Sequence, residues 1–333
     1  MRRTASAIAA AIAFLLASPA AAMPQRPVGA DAGRPPSPIF REPDGPPRAA
    51  WAGTVTGPTE VIGMSPDEEG YAESDAYQAW AAGEGARRRR RFTVYARSKS
   101  GGPRWQVNRP GTQAFMGGID GSLLAFQEAR FDKGRSSIFL YNMEFDTRSN
   151  PGPKVNSKAW EYWPTVSGDW LLFFRTNAKD TRRRAFLYNT TTQERRLLDL
   201  SKGKARLLGG GQVNGDWAAW MKCGKTCNVF RYDIMGDAKE KVPNPGAKYQ
   251  YGAAVDPDGT VYYGRSGPHC GQHVKIWKYP VGGSPVRLLV FPKRHDFGRA
   301  FVYRTGSENH YSFDYTRCRD QSSDIYEIVD NLA

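Results

Sequence analysis

Ile138-Phe139-Leu140-Tyr141 is a short apolar run closed by a tyrosine, and it returns along the chain. Copies stand at Ala185-Phe186-Leu187-Tyr188, Val229-Phe230-Arg231-Tyr232 and Ile276-Trp277-Lys278-Tyr279. A looser copy, Phe92-Thr93-Val94-Tyr95, precedes them, and Ile325-Tyr326-Glu327-Ile328 follows. The closing residues lie 46, 47, 44, 47 and 49 residues apart. A period in that range marks one supersecondary unit copied many times, each burying its apolar face against its neighbours.

A second landmark precedes the tyrosine run in each period: a turn followed by an apolar strand. It reads Asp120-Gly121 before Ser122 to Phe126, Gly168-Asp169 before Trp170 to Phe174, Gly215-Asp216 before Trp217 to Trp220, and Asp258-Gly259 before Thr260 to Tyr263. Glycine takes positive φ without steric cost and aspartate caps the turn locally, so these pairs mark tight turns. A polar loop separates the landmarks, and after the tyrosine a turn leads to a fourth strand such as Arg195 to Leu200 or Val286 to Val290. Four short strands per repeat with no helical period predict an all-β, six-bladed propeller of four-stranded antiparallel blades. The blades centre on residues 64–112, 113–158, 159–204, 205–248, 249–297 and 298–333. The last stops after its third strand, and an open edge invites association. The segment around Trp51 to Thr56 is expected to supply the missing outer strand. Gly117-Gly118, Gly209-Gly210-Gly211 and Gly252-Ala253-Ala254 fall before the turns, where small residues let backbones approach a crowded axis.

The rest of the organisation is read from composition. Arg2 and Arg3, the apolar run Ala7 to Ala17 and Ala20-Ala21-Ala22 form the pattern of an export signal over residues 1–22. Residues 23–50 are rich in proline, at 24, 27, 35, 36, 38, 43, 46 and 47, which favours an extended tether. Residues 51–333 form the propeller. No later stretch is apolar enough to span a membrane once the signal is removed. These features predict a secreted or periplasmic protein. A net charge of +14 bears on partners and not on fold.

The strand-turn-strand units Val255-Asp256-Pro257-Asp258-Gly259-Thr260-Val261-Tyr262-Tyr263 and Ser323-Asp324-Ile325-Tyr326 resemble the repeats of TolB-like six-bladed β-propellers. In that family a Pro-Asp-Gly turn opens a strand and an Asp-Ile-Tyr type strand follows. The resemblance covers the chain from about residue 60 onward and implies the fold, with little said about function. The family's namesake carries an extra α/β domain before its propeller, where this chain has the proline-rich tether. Related propellers precede a hydrolase domain in prolyl-oligopeptidase-type enzymes, yet no Gly-x-Ser-x-Gly nucleophile turn occurs in this sequence.

Cys223, Cys227, Cys270 and Cys318 all fall in the loop between the second and third strands of blades four to six. An even count in an exported chain reads as disulfides. Cys223–Cys227 with Cys270–Cys318 is the favoured pairing, and Cys227–Cys270 with Cys223–Cys318 the alternative. The longer favoured bridge would contribute roughly 4 kcal/mol on a loop-entropy argument. His269, Cys270 and His273 also invite a zinc reading with Cys223 and Cys227, but their spacings match no common zinc module. No metal and no cofactor is therefore expected. His295 beside Asp296 is read as a loop histidine, and His310 as a strand cap.

Arg87, Arg88, Arg89, Arg90 and Arg91 occupy the same inter-strand loop of blade one that holds Arg182, Arg183 and Arg184 in blade three, and Arg130 and Arg135 flank it in blade two. Arginine forks bind carboxylate and phosphate. These ten residues are the candidate anion-binding arc, opposite the cysteine-bearing half. Trp160, Tyr162 and Trp163 are read as packing between blades rather than as a stacking platform. Acidic residues are scattered, histidines number 4, and Asp258-Gly259 lacks the spacing of a sialidase Asp-box, so no catalytic residue is assigned. The function read from the sequence is a non-catalytic scaffold for a cell-envelope protein or anionic polymer, nucleic acid being the least favoured polymer. The alternative is a hydrolase or lyase acting at the channel mouth.

Overall fold

In Ile138 to Tyr141 the side chains of Ile138 and Leu140 are buried and that of Phe139 is half-buried, the period-two alternation of a strand covered on both faces. The computed structural model describes residues 55–62, 68–84, 91–177, 179–203, 207–246, 248–267, 273–290, 295–317 and 323–331. The first strand, β1 (Val55–Ile62), belongs to the last blade. Blade one is β2 (Glu68–Glu73), β3 (Tyr77–Glu84), β4 (Arg91–Ser98) and β5 (Trp105–Gln106). Blade two is β6 (Gln113–Asp120), β7 (Leu123–Arg130), β8 (Arg135–Asn142) and β9 (Thr147–Ser149). Blade three is β10 (Trp160–Ser167), β11 (Trp170–Thr176), β12 (Arg182–Asn189) and β13 (Arg195–Lys202). Blade four is β14 (Leu208–Asn214), β15 (Trp217–Cys223), β16 (Cys227–Asp233) and β17 (Ala238–Lys241). Blade five is β18 (Tyr249–Val255), β19 (Val261–Ser266), β20 (Lys275–Tyr279) and β21 (Val286–Val290). Blade six is β22 (His295–Thr305), β23 (Glu308–Arg317) and β24 (Ser323–Asn331), with β1 antiparallel on its outside.

The innermost strands β2, β6, β10, β14, β18 and β22 each touch the next, and β22 returns to β2, so the ring closes. The closing strand lies later than the sequence suggests: residues 55–62 pair with β24, from Val55 opposite Asp330 to Ile62 opposite Ile325. Of the expected segment, Trp51 to Thr54 fall outside the described residues. Blade six begins at His295 rather than at residue 298.

The recurring tyrosine has a structural job. Tyr141 donates its hydroxyl to Asp146 at 2.5 Å, and Tyr232 does the same to Asp237, bracing the turn between third and fourth strands. Asp146 and Asp237 have φ of 49° and 47°, a left-handed conformation that such bracing holds in place. Inside the turn, Asn142, Asn189 and Asp233 each accept two backbone N–H groups, so one chemistry recurs in three blades.

Each innermost strand also carries an irregularity where it crosses the axis, between Glu69 and Tyr71, Met116 and Ile119, Tyr162 and Thr165, Gly209 and Gln212, Tyr251 and Ala254, and Phe297 and Ala300. The glycines read from the sequence sit in these bulges, inside the strands rather than at their ends. A Cβ on Gly117 would stand 2.1 Å from the Pro164 carbonyl and 2.4 Å from that of Ala125. Hydrophobic cores lie between blades. One joins Leu172, Phe174 and Leu187 to Leu208, Trp220 and Tyr232 across blades three and four. Tyr162 belongs to it and donates to the Leu208 carbonyl at 2.7 Å, while Trp163 covers Gly209.

Candidate functional site

The turns joining first to second strands touch one another around the ring. Ser74 Oγ donates to Gly121 O at 2.7 Å, Gly168 N to Asp120 Oδ2 at 2.5 Å, Gly215 N to Ser167 Oγ at 3.0 Å, and Arg304 pairs with Asp258 at 2.5 Å. All of them therefore share one face, the turn face, together with the turns between third and fourth strands. Antiparallel order puts the hairpins between second and third strands on the opposite, hairpin face.

Charge divides between the two. Every blade places a carboxylate in its first turn: Asp75, Asp120, Asp169, Asp216, Asp258 and Glu308. The hairpin face carries the candidate arginines. Arg87 to Arg90 lie outside the described residues. Arg91 opens β4 and is exposed. Arg130 closes β7 directly opposite Arg135, which opens β8. Arg182 opens β12 directly opposite Lys202, and both are exposed. Arg183 is already neutralised by a two-pronged pair with Asp180, at 2.9 and 2.5 Å. Arg184 is half-buried opposite Arg175, whose charge is met by Glu161 at 2.9 Å. The structure thus sets the described members of the arc at corresponding hairpins of three successive blades. Sequence reading missed that the cations continue through Lys225 of blade four and Lys275 of blade five. Their position beside the cysteines was the available signal.

Cys223 and Cys227 are partners across the β15–β16 hairpin and form a disulfide. Cys270, Cys318 and His269 lie outside the described residues, as does the side chain of His295. Among the described residues no group of three histidine, cysteine, aspartate or glutamate side chains is placed to hold a metal ion. His310 is no strand cap: it lies within β23, where Nδ1 meets Glu327 Oε1 at 2.9 Å and the ring stacks on Tyr303. Burial alone pushes this imidazole down, but the hydrogen bond and charge of Glu327, with Glu73 and Glu308 behind it, hold its pKa above the usual value.

The axis is filled. Gln212 Nε2 donates to Val302 O at 2.6 Å and Gln212 Oε1 accepts Val302 N at 2.8 Å, tying blade four to blade six. Arg299 donates to Met116 O at 2.9 Å and lies over Trp163 and Phe115. What remains beside Gly117, Pro164 and Gly211 is a cavity of about 10 Å³, room for no more than one water. Trp163 itself has φ of 49°, a strained value for a bulky residue before proline. Asp314 caps the β22 bulge by accepting Gly70 N at 2.8 Å and Arg299 N at 3.3 Å. Burial, with the nearby Glu69 charge, pushes its carboxyl up to about 7. A larger hollow of about 440 Å³ lies between blades three and four, under the exposed Leu197 and Met235. Its Arg196 and Lys239 are paired with Glu194 and Asp199.

Among the described residues no helix is long and apolar enough to cross a membrane. No family model matches this sequence, and no curated protein does. Solved structures do. A putative TolB from Agrobacterium tumefaciens is 14% identical, with a TM-score of 0.51, over 79% of this chain and 90% of that one. The β-propeller domain of the Trilobed protease from Pyrococcus furiosus is 10% identical, with a TM-score of 0.50, over 82% and 97%. That propeller is described as having an open velcro topology, whereas here β1 pairs with β24. TolB from Acinetobacter baumannii is 12% identical, with a TM-score of 0.47, over 72% of this chain, which spans 59% of its length. Identities this low speak for architecture alone, and the architecture is that of the TolB-like six-bladed β-propellers.

Proposed function

We propose that this protein is a non-catalytic scaffold of the extracytoplasmic space whose hairpin face binds an anionic component of the cell envelope. The observation that carries this reading is a pair of like charges, Arg182 directly opposite Lys202, both exposed at the blade-three hairpin. Like charges directly across a ladder are destabilising. A carboxylate or phosphate between them turns that repulsion into charge-assisted hydrogen bonds. The oxidised Cys223–Cys227 pair fits an oxidising compartment, in keeping with the export signal read over residues 1–22, which lie outside the described structure.

Retention on immobilised heparin tests the reading. Wild type is expected to bind at low salt and to elute as salt rises. Replacing Arg182 and Lys202 by serine should move elution to lower salt, and a wild type that flows through at low salt refutes the proposal.

A further inference from the structure

The two faces of the ring differ in charge, and we infer that the hairpin face docks flat on an anionic phospholipid bilayer, an inference that rests on the anion-binding role above and names its partner. Cations stand at the hairpins of successive blades rather than in one groove: Lys133 in blade two, Lys179 in blade three, Lys225 in blade four and Lys275 in blade five. A linear polyanion is best held by a groove, whereas charges spread around a ring complement a plane of headgroups. The opposite face presents a carboxylate in the first turn of every blade, so the same bilayer repels it and only one orientation binds.

Apolar side chains agree with a surface contact. The large exposed hydrophobics among the described residues are Phe145, Met235 and Val281 in turns of the turn face, and Leu197 and Val286 on outer strands. None stands at a hairpin that faces the bilayer. The contact is therefore electrostatic without insertion, screened by salt and dependent on anionic lipid.

The test is co-sedimentation of the full chain with vesicles of phosphatidylcholine containing phosphatidylglycerol, against vesicles of phosphatidylcholine alone. Binding is expected only to the anionic vesicles and should fade with salt. A Lys225→Gln, Lys275→Gln variant and a Lys133→Gln, Lys179→Gln variant should each lose about thirtyfold in partitioning, from a contribution of roughly a factor of five per charge. An Asp75→Asn, Asp216→Asn variant on the turn face should bind as wild type does. Loss confined to the blade two and three variant overturns flat docking, because it places the ligand along the arc. Heparin retention without vesicle binding overturns the bilayer while leaving the scaffold reading intact, and failure of both sinks the two together.

Discussion

Removing the Asp330 carboxylate is the most demanding test of how the ring is shut. Asp330 is fully buried on β24, directly opposite Val55 of the closing strand. It accepts Lys278 Nζ at 2.9 and 3.2 Å and the Tyr262 hydroxyl at 2.6 Å. Tyr262 in turn accepts Asn309 Nδ2 at 3.1 Å, and Asn309 also donates to Asp256 at 2.7 Å, so blades five and six share one buried network. Burial already pulls the Lys278 ammonium down, against the opposing pull of Asp330. Asp330→Ala deprives that buried cation of its partner, a change that costs roughly 3–5 kcal/mol. Asp256 nearby recovers a little of this, which puts the expected loss at about 3 kcal/mol, or about 5 °C in Tm for a chain of this size. Guanidinium denaturation followed by tryptophan fluorescence measures it. The double variant Asp330→Leu, Lys278→Met removes both charges and should return most of the loss, since a buried pair replaced by apolar groups is often neutral. If Asp330→Ala costs under about 1 kcal/mol, or the double variant is no better than the single, the ion pair is not what fastens the last blade.

Deleting residues 55–62 should expose the edge of β24, lower Tm sharply and promote association seen by size-exclusion chromatography; an unchanged melt refutes the latch. His310, with its raised pKa, contributes stability that is fully present below the unfolded value and is lost as pH rises through the folded one. Unfolding free energy should therefore fall as pH rises above 6.5, the ordinary imidazole value, and His310→Gln should flatten that slope. Gly117→Ala drives a methyl into the Pro164 and Ala125 carbonyls, and a loss above about 3 kcal/mol in chemical denaturation is expected.

Much of the architecture was readable because a propeller repeats its instructions locally. The Tyr141–Asp146 and Tyr232–Asp237 braces span 5 residues, so the period of the tyrosines reported the period of the blades. The Asp120-Gly121 and Gly168-Asp169 turns and the Cys223–Cys227 hairpin are equally short in range. The strand that closes the ring was placed a few residues early. Its register is set by pairing with β24 at the other end of the chain, and nothing near Val55 records that.

By itself the sequence determined the all-β repeat, the number of blades and the hairpins on which the described arginines sit, since each depends on contacts within one unit. Only the tertiary structure decided that Arg183 is already spent on Asp180, that Gln212 and Arg299 fill the axis, and that Lys278 meets Asp330 from 52 residues away. It also decided that the first-turn carboxylates share one face and the hairpin lysines the other. Charge interacts through space, and a linear order of residues does not say which loops will stand side by side.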